Sequence, residues 1–147
     1  MYIRKILSST FLVILCQSAV AGSHHQTLGT YDELEKSLAE GDNVKAIVDF
    51  TKCSPMVDSM GSMSFSTFNK YIFTEGAVAK ETIATLTTVM THTRKFGYIN
   101  NTVRMRVFKD NSVEILNEFI DPKNYIQITS TSYTCQLNNG VTLYLME

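Results

Sequence analysis

The stretch TVRMRVFKDNSVEIL, residues 102–116, decides the fold class, because two alternating patterns flank a short polar turn. The apolar positions occur at every second residue: Val103, Met105, Val107, Val113 and Ile115. A period of two is typical of strands with one buried face. A three-residue loop, Lys109-Asp110-Asn111 with Asn111 left-handed, sets position 105 opposite 115 and 107 opposite 113. In this register Arg106 lies beside Glu114 on the solvent face, so an antiparallel hairpin is predicted.

The segments around this hairpin extend the antiparallel pattern. Residues 82–92 contain several threonines and Val89, which favour a strand over a helix. Further strands are predicted at 44–50, 65–74, 125–135 and 141–146, with a polar loop at 56–64 and a turn at Asn139-Gly140. We therefore predict an α+β fold with a curved, meander-like antiparallel sheet of about six to eight strands.

One short helix is predicted before the sheet, over residues 31–40. Thr30 and Glu33 have the spacing of a capping box, and Gly41 supplies a left-handed end. Leu34 and Leu38 fall on one face, with acidic and basic residues around the rest, so the helix is amphipathic.

The first 21 residues have the three parts of a secretory signal peptide. Basic Arg4 and Lys5 precede an apolar stretch over 6–16, and Ala19-Val20-Ala21 offers small residues for cleavage. A membrane anchor needs roughly 20 apolar residues, more than this stretch provides. We expect a signal peptide at 1–21, a flexible tail at 22–29 and a single domain at 30–147. The protein is then secreted or periplasmic, without a stable membrane anchor.

Cysteine usage agrees with export. Removing Cys16 with the signal leaves Cys53 and Cys135, and in an oxidising compartment a disulfide between them is the leading interpretation. Two separate buried thiols are the alternative. Loss of Arg4 and Lys5 takes the formal net charge from −1 to −3, and the remaining basic residues are scattered singly. We therefore expect no nucleic-acid partner.

Candidate catalytic residues are few. His92 is the only histidine within the predicted domain, and Asp49 lies between Val48 and Phe50 on a predicted strand. A hydrolase using His92 with Asp49 or a nearby carboxylate requires both side chains within hydrogen-bond reach in a pocket. An exposed strand histidine and an ion-paired aspartate are the simpler interpretation.

Two other groups of residues suggest ligands. If cleavage follows Ala21, the new terminus Gly22-Ser23-His24 offers a square-planar set of nitrogens for copper(II) or nickel(II). No other cofactor is expected. Four aromatic residues could form a face for a ligand or partner, although core packing is the simpler role for them: Phe119, Tyr125, Tyr133 and Tyr144.

Two parts of the chain resemble the VirK family. The first runs from Thr30-Tyr31-Asp32-Glu33-Leu34 through Gly41 into residues 44–53, and the second comprises Tyr125, Tyr133-Thr134-Cys135 and Asn139-Gly140-Val141. The resemblance implies an exported protein, often discussed with bacterial virulence, and supplies no catalytic residues. We expect an exported, non-enzymatic binding module with a virulence- or host-associated role. Its partner would be a protein or a small molecule that engages the sheet face.

Overall fold

The computed structural model describes residues 26–146. The proposed signal peptide and the Gly22-Ser23-His24 site therefore lie outside the described residues. Within residues 26–146 the fold consists of one α-helix, one short 3₁₀ turn at Phe50–Lys52 and nine strands. The helix is α1 (Tyr31–Glu40), and the strands are β1 (Thr27–Leu28), β2 (Asn43–Asp49), β3 (Met60–Ser64), β4 (Phe68–Glu75), β5 (Val78–Thr93), β6 (Gly97–Phe108), β7 (Ser112–Ile120), β8 (Gln127–Leu137) and β9 (Gly140–Met146).

All nine strands belong to one open sheet with the order β3-β2-β9-β8-β7-β6-β5-β4, and β1 pairs with β9. The count exceeds the predicted six to eight for two reasons. Strand β3 forms inside the segment predicted as a polar loop at 56–64, because its backbone pairs with β2. Strand β1 forms within residues 22–29, which were predicted to be a flexible tail. That prediction is wrong for Thr27 and Leu28. Leu28 is only 3% exposed and pairs with Leu143, so its burial holds the segment in the sheet.

The helix begins and ends as predicted. The backbone N–H of Glu33 donates to Thr30 Oγ1 at 3.2 Å, and the Glu33 carboxylate accepts from the Thr30 N–H at 3.2 Å. Gly41 ends the helix at a φ of 88°. Leu34 and Leu38 are buried in the core. Local chemistry is sufficient to define this element.

The central hairpin is also confirmed. Residue 105 pairs with 115, 106 with 114 and 107 with 113, and Asn111 has a φ of 64°. Arg106 Nη1 lies 2.8 Å from Glu114 Oε1. This ion pair is less exposed to solvent than predicted, because the Arg106 side chain is only 13% exposed. Two aromatic side chains cover the Arg106 guanidinium group. The centre of the Phe73 ring lies 4.4 Å from its carbon, and the Tyr71 hydroxyl lies 2.9 Å from Nε.

The meander prediction holds only from β4 to β8. At Asn139-Gly140 the chain turns, but β9 pairs with β8 over just two positions in parallel register and then runs antiparallel to β2. This pairing buries Val141 and Leu143 opposite Val48 and Ala46. Burial of these apolar residues explains why β9 leaves its sequence neighbour.

A disulfide joins Cys53, after the 3₁₀ turn, to Cys135 on β8, as the sequence predicts. Gly140 packs directly on it. A Cβ atom at position 140 would lie 3.0 Å from Cys53 Sγ and 3.2 Å from Cys135 Cβ, and the residue has a φ of 106°. Glycine is therefore required here both for space and for its backbone conformation.

The core lies on the concave face of the curved sheet, and α1 covers one end of it. The largest fully buried side chains come from the helix and from six strands or their flanks: Tyr31, Leu34, Val44, Val48, Phe65, Ile83, Ile99, Met105, Val107, Val113, Ile115 and Leu143. Lys70 on β4 pairs with Glu35 of the helix. No helix within residues 26–146 is long and apolar enough to cross a membrane.

Candidate functional site

A cleft of about 420 Å³ opens at the end of the concave face that α1 does not cover. Its lining carries no charged side chain. The residues are Val48, Phe50, Val57, Ser59, Met60, Gly61, Ser62, Met63, Thr87, Val89, Asn101, Val103, Ile115, Asn117 and Tyr133. A largely apolar lining with a few polar groups is the usual character of small-ligand sites.

Two asparagines contribute amide groups to the cleft, beside the hydroxyl groups of its serine, threonine and tyrosine residues. Asn101 on β6 pairs with Phe119, and Asn117 on β7 pairs with Val103, so the two amides are diagonal neighbours on the concave face. The Oδ1 atoms of both are buried and have no hydrogen-bond partner in the protein. Only four side-chain atoms in residues 26–146 are in this state, and two of them are here. Such an oxygen costs roughly 1–3 kcal/mol of stability where water does not reach it.

Several contacts hold one wall of the cleft against β8. The rings of Phe50 and Tyr133 contact each other with centroids 4.7 Å apart. Just beyond them, Ser54 and Thr134 exchange two backbone hydrogen bonds of 2.8 Å. The disulfide fixes the same segment to β8. These contacts tie this wall of the cleft to β8.

The opposite side of the cleft lies between β3 and β5. Thr85 Oγ1 is 2.8 Å from the carbonyl oxygens of both Ser64 and Thr67, which joins the two strands where the chain passes from β3 into β4. At the other end of β3, near Met60, the described chain has no backbone hydrogen-bond ladder between β3 and β5. The cleft opens along this gap.

A family model described as VirK protein matches residues 27–125, which is most of the described chain. The chain belongs to the VirK family. A crystal structure of a VirK family protein from Legionella pneumophila has a similar fold, with a TM-score of 0.63 at 14% sequence identity. The match covers 80% of this chain and 97% of the Legionella chain. A search of curated proteins finds no significant match.

In this VirK family member the two candidate catalytic residues have separate partners. His92 is exposed on β5, and its ring lies 5.0 Å from that of Tyr98. Asp49 accepts hydrogen bonds from the Thr51 hydroxyl and backbone and pairs with Lys52 at 3.2 Å. The Thr51 hydroxyl and Lys52 lower the pKa of Asp49, whereas a general base needs a pKa near the working pH. The structure does not bring the two side chains into contact.

The other predicted ligand groups have different outcomes. The Gly22-Ser23-His24 set is outside the described residues, and residues 26–146 contain no cluster of three or more metal-ligating side chains. The four aromatic residues do not form one cluster, although the register places Tyr133 and Phe119 on the same face of the sheet. Tyr133 lines the cleft, Tyr125 is 79% exposed, and Phe119 makes an edge-to-face contact with Phe96 instead. Tyr144 lies on the face of β9 opposite to buried Leu143.

The asparagines were missed by the sequence analysis, although a signal exists. Along β6, position 101 continues the inward-facing series of Val103 and Met105, and along β7, position 117 follows Ile115. A polar residue at an inward position of an alternating strand marks either a satisfied core amide or a site. The missing hydrogen-bond partners distinguish these two cases, and only the structure shows them.

Proposed function

We propose that this VirK family protein is an exported, non-enzymatic binding module and that the cleft on the concave face is its ligand site. The observation that carries the proposal is the pair of partnerless oxygens, Asn101 Oδ1 and Asn117 Oδ1, in an uncharged cleft. Retaining both lowers stability, and a ligand that supplies hydrogen-bond donors offsets that cost.

The lining defines the chemistry of the ligand. A charged ligand would lose its hydration without finding a counter-ion, which is strongly unfavourable. Aliphatic and aromatic side chains offer contact area, and the two amides, which can rotate about their last side-chain torsion, accept N–H or O–H donors. The ligand is therefore uncharged, partly apolar and a hydrogen-bond donor.

Export is the second part of the proposal. The basic, apolar and small-residue segments at 1–21 support it, and the Cys53–Cys135 disulfide is typical of an oxidising compartment. The host- or virulence-associated role rests on the family resemblance. Intact mass of protein from the exported fraction tests the export claim. A chain that begins at Gly22 and weighs two hydrogens less than its reduced form is expected, and a full-length chain with free thiols would contradict it.

Ligand binding is tested with N-phenyl-1-naphthylamine, an uncharged apolar fluorophore that carries one N–H donor. We expect a saturable rise in its fluorescence with the full chain. The test variant is Val89→Arg, because Val89 lines the cleft and is 56% exposed, so the change introduces bulk and charge without removing core contacts.

Met90→Arg is the matched control. Met90 is 64% exposed and follows Val89 on the same strand, so its side chain lies on the opposite face of the sheet. Val89→Arg should weaken binding at least tenfold, while Met90→Arg should bind as the wild type does. Absence of saturable binding, or equal binding by the two variants, would refute the cleft as the ligand site.

A further inference from the structure

The rim of the cleft on β3 has backbone groups that face away from β2. The Phe50 N–H donates to Ser59 O at 3.0 Å, and the Phe65 N–H donates to Val44 O at 2.9 Å. Alternate residues of an antiparallel ladder exchange such bonds, so positions 59, 61, 63 and 65 face β2. Positions 60, 62 and 64 therefore direct their N–H and C=O groups outward. The contact between Ser64 O and Thr85 Oγ1 agrees with this assignment.

The rim on β5 is also unpaired on one side. The Lys109 N–H donates to Glu81 O at 3.1 Å, so the odd-numbered residues of β5 pair with β6. The even-numbered residues face β4, whose pairing ends at Phe68 opposite Thr85. From residue 86 to residue 93, no strand pairs with this side of β5 in the described chain. The N–H and C=O groups of residues 88, 90 and 92 therefore point toward this unpaired side.

The side chains of this edge do not oppose strand addition. Residues 86–92, Leu-Thr-Thr-Val-Met-Thr-His, include no lysine, acidic residue, proline or glycine. Leu86 and Met90 are 54% and 64% exposed, and Met60 on the facing rim is 70% exposed. Soluble proteins usually protect a free edge with lysine, proline or a bulge, since an unprotected edge pairs with other chains.

We infer that an extended, uncharged peptide segment of a partner protein binds by adding a strand to the free edge of β5 over residues 86–92. Alternate side chains of the peptide then enter the cleft, while its backbone pairs with the edge. The absence of charge in the lining selects uncharged side chains there, and donors on the inward-facing groups reach Asn101 and Asn117. This inference rests on the proposed function, because it assigns the partner class to the same cleft.

The first experiment selects phage-displayed random heptapeptides on the full chain and discards those that bind Val89→Arg equally well. A selected peptide is synthesised, and its affinity is measured by fluorescence anisotropy. We expect a peptide without charged side chains at alternate positions that displaces N-phenyl-1-naphthylamine. Methylating one backbone nitrogen at a time should weaken binding about tenfold at every second position only, because only alternate N–H groups pair with β5.

The second experiment changes the edge itself. Met90→Pro removes an N–H that faces outward and leaves the ladder with β6 intact, whereas Met90→Thr keeps the N–H. We expect about tenfold weaker peptide binding for Met90→Pro and unchanged binding for Met90→Thr. Near-ultraviolet circular dichroism checks that both variants fold. If Met90→Pro does not fold, the methylation series on the wild type decides alone.

The outcomes separate this inference from the proposed function. Fluorophore binding without any selected peptide, or a methylation effect without a period of two, would overturn strand addition and leave the ligand site standing. Loss of both kinds of binding would overturn both. A concentration-dependent dimer in analytical ultracentrifugation that Met90→Pro abolishes would show that a second copy of this chain, not a partner peptide, pairs with the edge.

Discussion

Replacing Asn117 by leucine should stabilise the protein and weaken ligand binding at the same time. The Oδ1 atom of Asn117 is buried without a partner, and such a group costs about 1–3 kcal/mol. Leucine is similar in size and adds apolar contact with the cleft. We therefore expect the free energy of unfolding to rise by about 1–2 kcal/mol. At about 4 °C per kcal/mol for a domain of this size, the melting temperature rises by roughly 4–8 °C.

The assay is urea denaturation with the disulfide intact, in which the midpoint should rise while the denaturant slope stays constant. Asn69→Leu is the matched control. Asn69 is exposed on β4, so the same substitution there should change stability by no more than about 0.5 kcal/mol. In the fluorophore titration, Asn117→Leu should bind about fivefold more weakly, since one acceptor is lost. A loss of stability above 1 kcal/mol would mean that the amide is satisfied, which would refute the reasoning about the cleft.

Three further predictions concern the stability of the fold. Gly140→Ala should lower the free energy of unfolding by about 2–3 kcal/mol, because its Cβ would contact Cys53 Sγ at 3.0 Å and its φ is positive; a midpoint shift within error in urea would contradict this. Reducing the Cys53–Cys135 bond, which closes a separation of 82 residues, should cost about 4 kcal/mol, measured by urea denaturation with and without reductant. Partial burial raises the pKa of Asp110, but hydrogen bonds from Lys80 and Ser112 have the larger effect and lower the pKa to about 2. Because the folded pKa is below the unfolded value, this stabilisation is present above about pH 4 and is lost toward pH 2. Asp110→Asn should remove roughly 0.5–1 kcal/mol of that pH dependence, since the half-exposed pair is screened, and identical pH profiles would refute the assignment.

The elements that were predicted from sequence are those whose signals are local. The capped helix depends on Thr30, Glu33 and Gly41, which lie within one short segment, and the register of the β6–β7 hairpin depends on its three-residue loop. In both cases the hydrogen-bond chemistry that defines the element is complete within about 15 residues. The disulfide was predicted for a different reason, since only two cysteines remain outside the proposed signal peptide.

The elements that were missed depend on partners far away in sequence. Met-Gly-Ser-Met-Ser at 60–64 has weak strand propensity, and it becomes β3 because β2 offers a pairing edge. The Asn139-Gly140 turn was predicted from the sequence. The sequence near this turn does not indicate, however, that β9 pairs mainly with β2 and not with β8. The fold of this end is fixed by burial of Val141 and Leu143, which depends on the whole sheet.

The position of the candidate site follows from how polarity changes along two neighbouring strands. The inward positions of β6 go from buried Val107 and Met105 to half-buried Val103 and Asn101 and end at buried Ile99. Those of β7 go from Ile115 to Asn117 and then to Phe119, so the two amides interrupt an apolar series. The helix covers the apolar end, so the core needs no further cover there. A chain selected for stability alone would place at the other end either fully solvated charges or more aliphatic residues. The two amides fit neither description, because their Oδ1 atoms are buried and have no partner in the protein, and the proposed ligand site rests on this observation.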